Sequence, residues 1–150
     1  MRSSLYPTTP AKGFTALEVI LVVAVLALAA AILVLASNPG AAIVEARNSQ
    51  RSDAVANVAD ALRSYADDHA DDWPVALPDV PDDICRTPSP SCRGVVDLAF
   101  LVDGAYLTAI PVDPTATTTT TTGYLVVQNG DTVTVSAPAA ERGAMISASR

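Results

Sequence analysis

The sequence predicts an α+β protein in which one long N-terminal helix packs against a small antiparallel sheet. Three observations predict it. After Glu18 the next charged residue is Glu45, so 26 consecutive positions carry no charge. Farther along, Val55, Val58, Leu62 and Tyr65 recur at 3-4-3 spacing, the apolar stripe of an amphipathic helix. Near the C-terminus, "YLVVQNGDTVTVS" sets two β-rich runs around an Asn-Gly pair, the pattern of a hairpin.

The apolar run comes first. About 20 apolar residues suffice to cross a hydrocarbon core of roughly 30 Å as a helix. A cleaved secretory signal has a shorter apolar region, about 7–15 residues, ending at a small-residue site. Here the run is longer and "SNPG" follows it, which favours a retained membrane helix. Arg2 and Lys12 ahead of the run favour a cytoplasmic N-terminus, and Arg47 and Arg51 beyond it weaken that bias. The chemical difficulty is Glu18. An acidic side chain deep in a membrane helix costs roughly 2.5–3.5 kcal/mol on insertion scales, less near a helix end. Its position therefore calls for a partner.

The stretch "KGFTALEVILVVAVLALAAAI" resembles the type IV prepilin signature: a basic residue and Gly, then Phe, Thr, two apolar residues, Glu and a long apolar run. The likeness extends further. "NPGAAIVEARNSQRSDAVANVADALRSYADDH" is similar to the second half of a pilin's long helix. "GAYLTAIPVDP" is similar to a head segment shared by bacterial pilins and by the major pseudopilins of type II secretion. Those pseudopilins commonly continue with Trp-Gly, where this chain has Thr115 and Ala116.

The resemblance implies a type IV pilin fold. It implies cleavage by a membrane prepilin peptidase between Gly13 and Phe14, N-methylation of Phe14, and a mature chain of 137 residues. It also makes Glu18 the assembly carboxylate. A new α-amine on Phe14 is cationic near neutral pH, and pairing it with the Glu18 of a neighbouring copy sets axial register, the better attested use of a buried ion pair. The implied partners are further copies in a helical filament, the prepilin peptidase, the pilus assembly machinery and, before assembly, the inner membrane. The precursor is then a single-pass protein with a cytoplasmic N-terminus, and the assembled filament is extracellular. The alternatives are a pseudopilin of a type II secretion system and a monomeric membrane-anchored binding domain.

On this reading residues 1–13 are a leader and 14–38 the membrane or filament-core helix. Residues 39–72 are the amphipathic half of the helix and 73–150 a globular head. The helix is expected from Phe14 to about Asp72, interrupted and kinked at Ser37–Gly40, because Pro39 removes a helical hydrogen bond. Asp67, Asp68, Asp71 and Asp72 crowd its end, where the helix dipole disfavours anions, and Pro74 follows Trp73, so fraying is expected from about Asp68.

Next comes a loop, Trp73 to Gly94, with five prolines and two cysteines. "CRTPSPSC" places Cys85 and Cys92 seven positions apart, which in an exported head reads as a disulfide. A metal site is the alternative, but His69 is the sole histidine and there is no third cysteine. "GVVDLAFLVDGAYL" spaces Val95, Leu98, Leu101 and Val102 as a short helix on the sheet. "AIPVDP" then makes a rigid turn. Calcium on Asp113 with Asp103 or Asp131 is an alternative, but isolated loop aspartates are more often solvated or capping, and no EF-hand pattern occurs.

The low-complexity "TATTTTTTG", Thr115 to Gly123, reads as an exposed loop, with glycan attachment as a minor alternative. In the hairpin, Asn129-Gly130 is expected to form a type I′ turn, with Val133 and Val135 facing inward. Ala144 to Ser147 is expected to add a third strand.

Bulk charge and missing motifs narrow the function. Of the 150 residues, 16 are acidic and 9 basic, a net charge of −7; beyond Ala41 the balance is 15 to 7. That surface repels phosphate backbones and argues against general nucleic-acid binding. There is no G-x-S-x-G, P-loop or G-x-G-x-x-G. The chain reads as a structural protein with no catalytic residues and no cofactor.

Overall fold

The computed structural model describes residues 13–36, 39–70, 72–86 and 92–150. Two units separate between Pro39 and Gly40. The first holds helix α1, Ala16–Ala36, whose 21 residues include no buried side chain. At 1.5 Å per residue it is about 31 Å long, matching a hydrocarbon core. Among the described residues this is the helical stretch apolar and long enough to cross a membrane.

The second unit is the head, organised on α2, Pro39–His69. Pro39 is the first residue of α2, where its missing N–H belongs to an unsatisfied turn in any case and its fixed φ suits a helix start. Ser37 and Asn38, where an interruption was expected, lie outside the described residues. The buried face of α2 comprises Arg51, Ala54, Val55, Val58, Ala59, Ala61, Leu62 and Ala66. Three of the four stripe residues are therefore inside, while Tyr65 is half-buried and stacks on His69 at a centroid distance of 4.0 Å. The helix stops at His69, earlier than Asp72. Ala70 adopts φ 52°, the left-handed conformation that ends a helix, and Asp72 N donates to His69 O at 3.1 Å. That end lies close to Asp68, whose Oδ2 accepts a hydrogen bond from Tyr106 Oη at 2.8 Å.

A four-stranded antiparallel sheet packs against this face in the order β1-β2-β3-β4: β1 Asp82–Cys85, β2 Thr121–Asn129, β3 Thr132–Ser136 and β4 Ser147–Ser149. Strand β1 lies inside the region expected to be loop. Two aspartates hide it by composition, and pairing with β2 creates it. The threonine tract is also corrected. Thr121 and Thr122 belong to β2, and Thr122 is fully buried, its Oγ1 donating to Ile84 O at 3.2 Å.

The hairpin exists, but its turn is Gly130-Asp131, since Asn129 pairs with Thr132. Gly130 has φ 60° and neither Asn129 nor Asp131 has positive φ, which is the type II′ pattern, not type I′. Val133 and Val135 are buried as expected. The tail strand begins at Ser147, where the expected one ended.

A five-residue helix, α3, spans Ala99–Asp103. Leu98 and Leu101 are fully buried, and Val96, not Val95, is the inner valine, bridging Ile84. Tyr124, Val126, Val133 and Val135 from the sheet join Val55, Val58 and Leu62 from α2, with Ile84, Leu98 and Leu101, in one core. Each such side chain contributes about 1.5–3 kcal/mol on full burial. Cys85 and Cys92 form the expected disulfide, Cα atoms 5.5 Å apart, tying β1 to the segment before Val96.

Candidate functional site

The first candidate is the N-terminal end of α1. Thr15 precedes the helix, and its Oγ1 accepts a hydrogen bond from Glu18 N at 3.2 Å, so one orphan N–H of the first turn is capped. Thr15 and Glu18 stand in the T-x-x-E spacing of a capping box. Glu18 is exposed and is the acidic residue of that turn. Phe14 is 84% exposed and, with Glu18, Val19 and Val22, lines a shallow groove of about 230 Å³ along one face. Gly13 is exposed, and a Cβ built on it meets nothing within 4 Å. Among the described residues its small size serves no packing. Gly13, Phe14 and Glu18 thus sit together at one end of an apolar rod with every described side chain in the open.

The second cluster escaped sequence reasoning. Arg51 is fully buried in α2, four residues before Val55 and on the same face. Its Nε donates to Asp113 Oδ2 at 2.7 Å and its Nη2 to Asp113 Oδ1 at 3.2 Å. Nη1 donates to Glu141 Oε2 and to Asn48 Oδ1, both at 3.0 Å, and Nη2 also donates to Thr115 Oγ1 at 2.9 Å. Arg47 grips Glu141 with Nε to Oε2 at 2.7 Å and Nη2 to Oε1 at 2.5 Å. The buried charges are therefore paired and hydrogen-bonded, the condition under which burial is tolerated.

Local sequence explains the acceptor. Asp113 lies between Val112 and Pro114, so helical backbone is disfavoured there, and Thr115 N and Oγ1 both donate to Asp113 Oδ1 at 2.7 and 2.6 Å. Burial pushes the Asp113 carboxyl up, but the Arg51 and Thr115 hydrogen bonds outweigh it and hold it below the ordinary carboxylate range. Glu141 is lowered by Arg47 first and Arg51 second. The Arg51 guanidinium is raised, chiefly by its bond to Asp113.

Asp113 thus caps the Thr115 N–H as a loop aspartate can, but it is buried, not solvated, and pairs with Arg51. Its carboxylate is spent on Arg51 and Thr115, while Asp103 and Asp131 are exposed and belong to other segments. Among the described residues, no group of three or more His, Cys, Asp or Glu is arranged to hold a metal ion. Every polar atom of the Arg51 side chain is engaged, so the cluster is a strut joining α2 to the segments around Asp113 and Glu141. The signal that reveals it is the spacing Arg51, Val55, Val58, Leu62, an arginine on the core stripe.

Comparison with protein-family models, with curated proteins and with solved structures gives no match for the chain.

Proposed function

We propose that this chain is a structural subunit of a type IV pilus, with the type IV pilin fold, cut between Gly13 and Phe14, N-methylated on Phe14 and assembled through its N-terminal helix. The observation that carries the reading is the rod itself. Helix α1 exposes every side chain and bears one carboxylate, Glu18, within its first turn. Such a surface requires cover along its whole length, by lipid in the inner membrane and by other copies of α1 in a fibre. Thr15 becomes the second residue after the cut, so the helix cap survives processing. The charge of Glu18 then faces the α-amine of a neighbouring Phe14 and sets the axial step between copies. Acidic heads coat the outside. The partners are like copies, the prepilin peptidase and the assembly machinery.

A second reading, a pseudopilin building a short fibre for type II secretion, has support in "GAYLTAIPVDP", against which Thr115 and Ala116 stand in place of Trp-Gly. A third, a monomeric tethered binding domain, needs no assembly at all. Mass spectrometry of the native N-terminus tests processing: methylated Phe14 with 13 residues removed is expected, and an intact Met1 refutes it. Glu18→Gln tests the charge. Gln keeps a capping box and loses the anion, so full incorporation of the Gln variant into fibres would reduce Glu18 to a helix cap.

A further inference from the structure

Among the described residues of the head outside α2, two large apolar side chains stand exposed. They are Val80, 63% exposed, and Met145, 99% exposed. Each lies two residues before an outer strand of the sheet, Val80 before β1 and Met145 before β4, so the order β1-β2-β3-β4 puts them on opposite edges. Register also separates them along the strands. Asp82 pairs with Val126 and Gln128 N donates to Pro78 O, which places Val80 beside the hairpin end. Ser147 pairs with Ser136 and Ala137 N donates to Ile146 O, which places Met145 at the far end. The two residues mark diagonal corners.

The corners carry opposite charge. Exposed Asp79 adjoins Val80, with Asp82 two residues on; exposed Arg142 lies three residues before Met145. Among the described residues no salt bridge engages Asp79 or Arg142, whereas Arg47, Arg51, Arg63 and Arg150 are all paired. At the Met145 corner, Ala137, Pro138, Ala144, Met145 and Ile146 line a shallow groove of about 290 Å³.

We propose that this chain docks head to head with a second copy of itself, the Val80 corner of one seated in the Met145 groove of the next, with Asp79 facing Arg142. The occupant is another copy because a single chain displays both halves of the contact, matched in apolar anchor and opposite in charge. The two patches differ, so the contact is heterologous and repeats along an open row, as a fibre needs. It is small, and works where apolar rods already hold heads together at an effective concentration on the order of millimolar. This inference rests on the subunit reading above and names which faces of adjoining heads meet.

The test is the full-length chain in its native membrane and fibre fraction, carrying Val80→Cys with Met145→Cys, under mild oxidation. Both sites are exposed, and the native cysteines already pair with each other. The expected result is a reducible ladder of dimers, trimers and higher species for the double variant only. Arg142→Asp is expected to cut the ladder at least fivefold, and adding Asp79→Arg to restore it. Fibres without a ladder overturn this contact and leave the subunit reading standing. A ladder without fibres does the reverse, and neither product sinks both. Crosslinked dimers from Met145→Cys alone, at the yield of the pair, indicate a two-fold contact and overturn the proposal, as does a ladder indifferent to Arg142→Asp.

Discussion

Arg51 and Asp113, 62 positions apart, meet in the interior as a two-point ion pair, with Nε to Oδ2 at 2.7 Å and Nη2 to Oδ1 at 3.2 Å. Breaking one partner strands the other without water. Arg51→Met and Asp113→Leu are each expected to destabilise the head by about 3–5 kcal/mol. The double variant is expected to recover most of that loss, because two apolar side chains leave no orphaned charge. Denaturant unfolding of the detergent-solubilised chain measures this, and additive losses would refute the coupling.

The same pair sets an acid limit. The folded pKa of Asp113 is depressed, so the pair's contribution is complete above the ordinary carboxylate range, about 4. It is lost as pH falls through the lower folded value, where the unfolded chain binds the proton more readily. Melting temperature is therefore expected to hold from neutral pH to about 4 and drop below it. Asp113→Asn should flatten that drop. At the alkaline end the sign reverses. Burial pushes the Tyr124 hydroxyl up to about 12, so its contribution is present below about 10 and fades as pH rises toward 12. Tyr124→Phe removes that slope.

Gly123 touches the ion pair from the sheet. It lies in β2 with φ 83°, where the ladder with β1 is irregular opposite Ile84, and a Cβ there would stand 3.0 Å from Asp113 Cβ. Gly123→Ala strains the backbone and presses on the carboxylate together. A loss of about 1–3 kcal/mol is expected, with a smaller loss in the Asp113→Leu, Arg51→Met background if part of the penalty is displacement of the pair.

The disulfide closes a loop of about eight residues. Replacing Cys85 and Cys92 with Ser is expected to cost about 2.5 kcal/mol in the chain-entropy account, plus the burial of a hydroxyl at Cys85, which is fully enclosed. Reduction of the native bond isolates the first contribution. A melting temperature unmoved by reductant contradicts it.

How much was legible in the chain follows from the range of each interaction. The apolar run, the α2 stripe, the disulfide and the two inward valines of β3 are local patterns, readable because helix and strand periods act on neighbours. Strand β1 was not readable, since "DDIC" has little strand preference until Leu125 and Val126 lie alongside it. Thr122 reads as surface and is buried because Ile84 offers its carbonyl. The turn slipped by one residue because the pairing of Asn129 with Thr132 outweighed the local Asn-Gly preference. Gly13, Phe14 and Glu18 are candidates on sequence alone, because the signature they resemble is contiguous in the chain. The partners of Arg51 could not: which of many aspartates and glutamates meets a buried guanidinium depends on folding distant segments together, and desolvation makes that meeting matter.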